Sequence, residues 1–195
     1  MQRTLDYYNQ NARDFVTDTR TVEFAHMQNR FLDKLPAGAK ILDFGCGSGR
    51  DTKYFLDQGY EVKAVDGSKE LCKIASEYTG ITVQHMLFQE LDAKEAYDGI
   101  WACASILHVP YGELKDIFVK MHQSLKAAGV IYTSFKYGTY EGDRGGRYYT
   151  DMTEETLAKL LKDVPGLVVE ESWVTGDVRP GRGDEKWLNV MLRRK

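Results

Sequence analysis

The chain has 195 residues, the length of one ordinary domain. Its composition is 43% hydrophobic and 28% charged, which excludes disordered, collagen-like and disulfide-dense classes of protein. The 26 basic and 29 acidic residues leave a net charge of -3, and the basic cluster at residues 193–195 is too small to serve as a nucleic-acid footprint. We therefore expect no nucleic-acid partner.

The three cysteines are odd in number and widely separated, at Cys46, Cys72 and Cys103. This pattern fits neither a disulfide framework nor a zinc site, so we predict no metal and expect buried structural thiols in a reducing compartment. No apolar run approaches the roughly 18 residues of a membrane span, and no signal-peptide pattern opens the chain. The sequence thus predicts a cytoplasmic protein without a membrane partner.

Two amphipathic segments come first. Apolar residues recur every three or four positions across residues 5–15 and 24–35, which predicts two helices, and Pro36 ends the second. We expect residues 1–35 to form a helical lid over a ligand. Tyr8 and Phe15 share the apolar stripe, so packing into the core is an equal alternative for these two rings.

Short apolar strands then alternate with helices over residues 36–136. Strands are predicted at residues 40–44, 61–66, from 81, at 99–104 and from 129, with Ser68 as the N-cap of one intervening helix. Alternation at this spacing predicts an α/β domain with a Rossmann-like, doubly wound, mostly parallel sheet.

The segment 137–195 departs from this alternation. A helix at about residues 153–161 precedes two strands, 167–174 and 187–192, which read as an antiparallel hairpin across a loop rich in glycine and arginine. The hairpin completes a seven-stranded sheet, and the whole chain, 1–195, is predicted to be a single domain.

A glycine-rich turn follows the first strand. Gly45, Gly47 and Gly49 have the spacing G-x-G-x-G, and an acidic residue, Asp66, ends the next strand, where a carboxylate can accept hydrogen bonds from a ribose diol. Nicotinamide dinucleotides and S-adenosylmethionine both carry that diol. Asp43, beside the loop, would repel a pyrophosphate and favour a ligand with an ammonium and a sulfonium, so charge favours S-adenosylmethionine.

These segments together resemble class I S-adenosylmethionine-dependent methyltransferases. Residues 41–51 (ILDFGCGSGRD) are similar to the first motif of that family, 64–68 (AVDGS) to the second, 97–108 to the fourth-strand segment and 125–130 to the turn into strand five. The chain looks closest to the small bacterial enzymes related to the tellurite-resistance methyltransferase. Ala128 departs from the family by replacing a glycine of a common pair.

The resemblance implies a cofactor site. The cofactor would be S-adenosylmethionine, with S-adenosylhomocysteine as product, and the loop Gly45 to Gly49, including Cys46, would lie against its methionine part. Asp66 would bind the ribose. The positions that would border the adenosine or the methionine are Gly67, Ser68, Phe88, Gln89, Ala104, Ser105 and Tyr8.

The methyl acceptor would lie at the carboxyl edge of the sheet, where ligands of doubly wound folds bind. Loops at that edge carry the candidates Lys136, Tyr137, Arg147, Arg179 and Arg182, whose charges suit a small polar or anionic acceptor. The alternative is that these cations are solvated and paired with loop carboxylates. His108, after the fourth strand, is a candidate general base, with a structural role at a strand end as the alternative.

The sequence thus predicts an enzyme that transfers a methyl group by in-line displacement to a small polar or anionic acceptor. Two alternatives stay open. The protein could bind S-adenosylmethionine without catalysis, in which case the acceptor side would be filled, or it could be an oxidoreductase that uses a nicotinamide dinucleotide. The expected oligomeric state is a monomer or a homodimer.

Overall fold

A computed structural model describes residues 2–179 and 181–195. Its helices and strands alternate through the middle of the chain, as the pattern of apolar residues predicts. The helices are α1 (Gln2–Gln10), α2 (Ala12–Thr19), α3 (Ala25–Leu32), α4 (Arg50–Asp57), α5 (Lys69–Thr79), α6 (Tyr111–Ser124) and α7 (Glu154–Leu161). The strands are β1 (Lys40–Phe44), β2 (Glu61–Asp66), β3 (Gln84–His85), β4 (Tyr97–Ala102), β5 (Leu125–Lys136), β6 (Glu141–Arg144), β7 (Arg147–Thr150), β8 (Leu167–Gly176) and β9 (Lys186–Arg194).

Seven of these strands form one sheet in the order β3-β2-β1-β4-β5-β9-β8. The pairs from β3 to β5 are parallel, while β9 lies antiparallel to both β5 and β8. The predicted Rossmann-like fold, with its mostly parallel seven-stranded sheet and antiparallel C-terminal strands, is confirmed.

Both faces of the sheet are covered, which is the arrangement that buried parallel strands require. On one face, Phe31 of α3 and Phe55 of α4 pack against Trp101, which also stacks on Tyr132 at a centroid distance of 4.0 Å. On the other face, α6 and α7 cover a larger apolar cluster. Among the described residues, no helix has the length and apolar character that crossing a bilayer requires.

The N-terminal segment differs in detail from the prediction of two helices. The first predicted helix is two helices, α1 and α2, that meet at Asn11. Asn11 leaves the helical region, with ψ at 21°, and its side-chain amide donates to the carbonyl of Tyr7 at 2.8 Å. Asparagine competes in this way for backbone groups, which explains a break that apolar periodicity does not reveal.

A two-stranded hairpin, β6–β7, stands apart from the main sheet where the sequence analysis expected only a loop. Gly145 and Gly146 form its turn, with φ of 58° and 82°. A Gly-Gly pair between two short strands is a recognised hairpin signal, so the sequence contained the information. The hairpin matters for function because it brings Arg147 to Thr150 beside α1.

The third predicted strand is short. Pairing with β2 is restricted to Gln84 and His85, and residues 81–83 precede the strand. Val83 is buried beside α5 instead, so its apolar character reflects core packing and not strand pairing.

The backbone at Ala128 explains the glycine common at this position of the motif. Its φ is 60°, in the left-handed region, where a Cβ costs about 1–2 kcal/mol. We expect Ala128→Gly to raise the free energy of unfolding by about 0.5–1 kcal/mol, because the relieved strain exceeds the added backbone entropy of the unfolded chain. Denaturant unfolding measures this. Ala127, exposed and without positive φ, is the matched control, and Ala127→Gly should destabilise; equal effects of the two changes would contradict the strain argument.

Candidate functional site

A single cavity of about 840 Å³ lies at the carboxyl edge of the parallel strands. It begins at the turn after β1, passes the ends of β2, β4 and β5, and ends between β8 and β9, under α1 and the β6–β7 hairpin. This volume falls within the range of small-molecule sites, roughly 300–1,000 Å³. Most of the cofactor residues and acceptor residues that the sequence predicts therefore face the same cavity.

The glycine loop begins where β1 ends. The amides of Gly45 and Cys46 both donate to the carbonyl of Val65, at 2.9 and 3.0 Å, which ties the loop to β2. Gly45 has φ of 90°, and a Cβ there would stand 2.5 Å from the Cβ of Ser105. The position therefore accepts glycine alone, and the loop lies directly against the residues that follow β4.

Asp66, at the end of β2, lines the cavity and is 9% exposed. One carboxylate oxygen accepts from the amide of Gly47 at 2.9 Å and the other from the amide of Ser68 at 2.8 Å. A carboxylate has about four acceptor positions, so two remain for a ligand. Burial raises the pKa of Asp66, and the two amides oppose that shift. A ribose diol would supply the missing donors, so the residue fits the adenosine cofactor that the sequence predicts.

Asp43 lies beneath the loop, is not among the residues that line the cavity, and accepts from the hydroxyl of Thr52 at 2.6 Å. Burial, together with the nearby Asp51 carboxylate, raises the pKa of Asp43 to about 8. The group is therefore mostly neutral near pH 7, which weakens the charge argument made from the sequence.

A second lining carboxylate near the loop, besides Asp66, is Asp51. Burial would raise its pKa, but the charge of Arg50 and hydrogen bonds from Arg50, Trp101 and Gln28 lower it. The Trp101 indole donates at 2.8 Å and the Gln28 amide at 2.7 Å. The sequence analysis includes residues 50 and 51 in the first motif but does not predict them as site residues. Their charged side chains, directly after the glycine loop, are the sequence feature that indicates a place in the site.

The remaining predicted cofactor residues divide into two groups. Those that line the cavity are Gly45, Cys46, Gly67, Phe88, Ala104, Ser105 and Tyr8. Those that lie outside its lining are Gly47, Gly49, Ser68 and Gln89. Phe88 is held edge-on to Phe44 at a centroid distance of 4.8 Å, and Ala104 adopts φ of 48°, a strained conformation of the kind found at functional sites.

Most predicted acceptor residues line the cavity but are already paired. Arg179 makes a bidentate pair with Asp177, at 2.9 and 2.5 Å, and Asp177 also accepts from the Trp187 indole. Burial would raise the pKa of Asp177, yet Arg179 lowers it to about 2. The remaining pairs are Lys136 with Glu185, Arg182 with Glu185, and Tyr137 with Glu154. For Lys136, Arg179 and Arg182, the structure therefore agrees with the alternative that the sequence left open, in which the cations pair with loop carboxylates.

Arg147, on β7, is different because the described residues give it no carboxylate partner and its buried Nε has no hydrogen-bond partner there. Its guanidinium lies over three aromatic rings, 4.6 Å from the centroid of Tyr7, 5.4 Å from Tyr149 and 5.8 Å from Tyr8. A half-buried cation without a counter-ion costs free energy unless a ligand completes it. Arg147 is therefore the lining cation best prepared to receive an anionic group.

His108 is bonded on both ring nitrogens. Nδ1 lies 2.6 Å from the carbonyl oxygen of Tyr148, and Nε2 lies 2.8 Å from the hydroxyl of Tyr8. Burial lowers the pKa of His108 to about 4, and the positive charge of Arg147 adds to that shift. The imidazole is therefore neutral near pH 7, and it lines the cavity next to Tyr8.

This pKa predicts a dependence of stability on pH. His108 takes up a proton near pH 6.5 in the unfolded chain but near pH 4 in the folded protein, where it faces Tyr8, Tyr149 and Arg147. The unfolded state thus binds more protons in that window, so stability is lost as pH falls, by up to about 3 kcal/mol. Unfolding measured from pH 7 to 4 should show a smaller loss for His108→Gln than for the wild type; parallel curves would contradict the assignment.

Comparison with known proteins agrees with this geometry. Residues 41–129 match a family model described as a methyltransferase domain. An uncharacterized methyltransferase of Staphylococcus carnosus is 27% identical over 73% of this chain and 74% of its own length. A ubiquinone biosynthesis O-methyltransferase of Xanthomonas axonopodis is 34% identical over 38% of this chain, but the match spans only 34% of that enzyme.

One solved structure covers the whole chain. It is the 1,6-didemethyltoxoflavin-N1-methyltransferase of Burkholderia thailandensis with bound 1,6-didemethyltoxoflavin and S-adenosylhomocysteine, which matches with a TM-score of 0.78 and 24% identity over 100% of this chain and 87% of its own. Because the two sequences are only 24% identical, this structural similarity shows that the two proteins share a fold.

Proposed function

We propose that this protein is a class I S-adenosylmethionine-dependent methyltransferase that methylates a small polar or anionic molecule held in the cavity. The observation that carries the proposal is the continuity of the cavity, which joins Asp66 and the glycine loop to Arg147 without an intervening wall. When bound, S-adenosylmethionine supplies a methyl group on a positively charged sulfur.

The chain's own residues support both ends of this arrangement. On the cofactor side, the free acceptor positions of Asp66 match the ribose, and Phe88 contributes an aromatic ring to the lining of the same cavity. On the acceptor side, Arg147 offers an uncompensated charge. Holding the two reactants in line lowers the barrier by itself, so no strong base is required for every acceptor.

The sequence alternatives are not favoured. A module that only binds S-adenosylmethionine would have its acceptor side filled, whereas the space between β5, β7 and the β8–β9 hairpin is open. A nicotinamide-dependent oxidoreductase is not favoured, because the family model that matches residues 41–129 and the curated relatives described above are methyltransferases. The small-molecule acceptor of the Burkholderia enzyme is consistent with an acceptor of similar class here, and the lack of disulfides among three widely spaced thiols supports a cytoplasmic location.

The test is to incubate the protein with methyl-labelled S-adenosylmethionine and a host metabolite extract, and to sample solution and headspace by mass spectrometry. A labelled small anionic product is the expected result. A volatile labelled product would instead indicate a thiol or metalloid acceptor, as the likeness to tellurite-resistance enzymes implies. Binding of S-adenosylmethionine without any labelled product would contradict the proposed activity and favour the binding module.

A further inference from the structure

Tyr8 and His108 are 100 residues apart in the chain, yet they meet in the wall of the cavity. Tyr8 comes from α1, and His108 comes from a short helical turn, Ile106–His108, that follows β4. Their rings pack edge to face at a centroid distance of 5.5 Å, and Tyr149 packs on the other side of the imidazole at 4.9 Å. The pair is therefore held in position from three elements.

The protons of this pair can be assigned from its partners. A backbone carbonyl can only accept, so the contact between Nδ1 of His108 and the Tyr148 carbonyl at 2.6 Å places a hydrogen on Nδ1. Nε2 of a neutral imidazole then carries the lone pair, and the Tyr8 hydroxyl donates to it at 2.8 Å. The Arg147 guanidinium also hydrogen-bonds to the oxygen of Tyr8, and a second lone pair of that oxygen remains for a partner in the cavity.

We infer that Tyr8 and His108 form a proton relay for the methyl acceptor, in which Tyr8 touches the acceptor and His108 acts through it. As the bond between the acceptor atom and the methyl carbon forms and the bond from that carbon to sulfur breaks, the acceptor's proton passes to the Tyr8 oxygen. The Tyr8 proton passes to Nε2 of His108 at the same time. The imidazolium later returns its proton to solvent. The inference rests on the proposed methyl transfer.

The charge balance of the cavity favours proton transfer to His108 during the methyl-transfer step. Burial raises the pKa of Tyr8 well above its usual range, so a free tyrosinate is costly and the relay must pass both protons together. A cation beside His108, such as Arg147, opposes its protonation. Methyl transfer removes the positive charge from sulfur as the imidazolium forms, so the total charge of the cavity does not change. The reaction itself thereby removes part of the cost of protonating His108.

The kinetic test uses two matched carboxylates as probe acceptors. Methylation of 3-mercaptopropionate releases a proton, whereas methylation of 3-(methylthio)propionate releases none. We expect Tyr8→Phe and His108→Gln each to lower kcat with the thiol by about 100-fold, and the double variant to lower it no further. With the thioether, the loss should stay below about threefold, because no proton has to leave.

Matched controls separate these effects from general damage. Tyr54→Phe removes an exposed hydroxyl hydrogen bond to Asn29, and His26→Gln changes an exposed imidazole; both should retain wild-type rates with both probes. Equal losses with the two probes, or additive losses in the double variant, would overturn the relay and leave the methyltransferase proposal intact. An inactive wild type would overturn the proposed acceptor class and the relay with it.

A second readout does not depend on turnover. In protein with isotope-labelled histidine and bound S-adenosylhomocysteine, NMR should show His108 with its hydrogen on Nδ1 and an accepted hydrogen bond at Nε2. Tyr8→Phe should shift the Nε2 resonance while Nδ1 stays protonated. A hydrogen on Nε2 in the wild type would overturn the relay, since Tyr8 could not then donate to that nitrogen.

Discussion

Replacing Asp66 with alanine is expected to weaken the binding of S-adenosylhomocysteine by about 100-fold, measured by titration calorimetry. The physical reason is the loss of two charge-assisted hydrogen bonds to the ribose diol, at the acceptor positions that Gly47 and Ser68 leave free. Burial of the carboxylate makes each bond stronger than it would be in water.

Asp66 also holds the glycine loop, so a simple loss of binding has two explanations. A cycle with the 2′-deoxy analogue of S-adenosylhomocysteine separates them. In the wild type, removal of the hydroxyl should cost affinity; in Asp66→Ala that cost should vanish. If both proteins discriminate against the deoxy ligand equally, Asp66 supports the loop and does not bind the ribose. Asp57→Ala, which removes an exposed pair with Lys53, is the control and should bind normally.

The second large effect concerns Arg147. We expect Arg147→Gln to raise the acceptor KM for 3-mercaptopropionate by about 30-fold, since a charge-assisted hydrogen bond to a half-buried cation contributes roughly 2 kcal/mol. The affinity for S-adenosylmethionine should change little, because the ribose is assigned to Asp66 and Arg147 makes no contact with that carboxylate or its amide partners. Steady-state kinetics with varied acceptor, together with calorimetry for the cofactor, distinguish the two.

Arg182→Ala is the matched control for this prediction. The sequence analysis treated both arginines as acceptor candidates, but Arg182 is exposed and paired with Glu185 at 3.2 Å. Surface pairs of this kind contribute at most about 1 kcal/mol, so KM should rise less than about fivefold. A larger effect of Arg182→Ala than of Arg147→Gln would show that the anion binds in the β8–β9 loop and would contradict the assignment.

The parts of the fold that follow from local pattern could be predicted from the sequence. Apolar strands, the glycine spacing and the carboxylate at the end of β2 lie within about one βαβ unit, so their relation in the chain is also their relation in space. The Ser68 cap is equally local, and its hydroxyl accepts from the amide of Leu71.

The partners of the site residues could not be predicted from the sequence, because they depend on contacts between residues that are distant in the chain. Residue type alone does not distinguish Arg147 from Arg179. Arg179 has a carboxylate partner two residues away in the chain, whereas the neighbours of Arg147 include two aromatic rings that α1 brings in from a distant part of the sequence. The pairing of Tyr8 with His108 has the same origin. Since α1 meets the β6–β7 hairpin and the turn after β4 only in the folded state, reasoning from single residues could name these candidates but not assign their partners.

The position of β9 between β5 and β8 has a consequence for how the chain is synthesised. During translation, residues 36–136 emerge well before residues 186–194, so one edge of β5 has no partner until those later residues follow. Phe135 and Tyr132, both fully buried in the finished protein, lie on that strand. An unpaired edge with apolar side chains promotes association between nascent chains. Residues 186–194 must therefore leave the ribosome before this part of the molecule is protected, so slow synthesis of residues 137–194 would reduce the yield of folded protein.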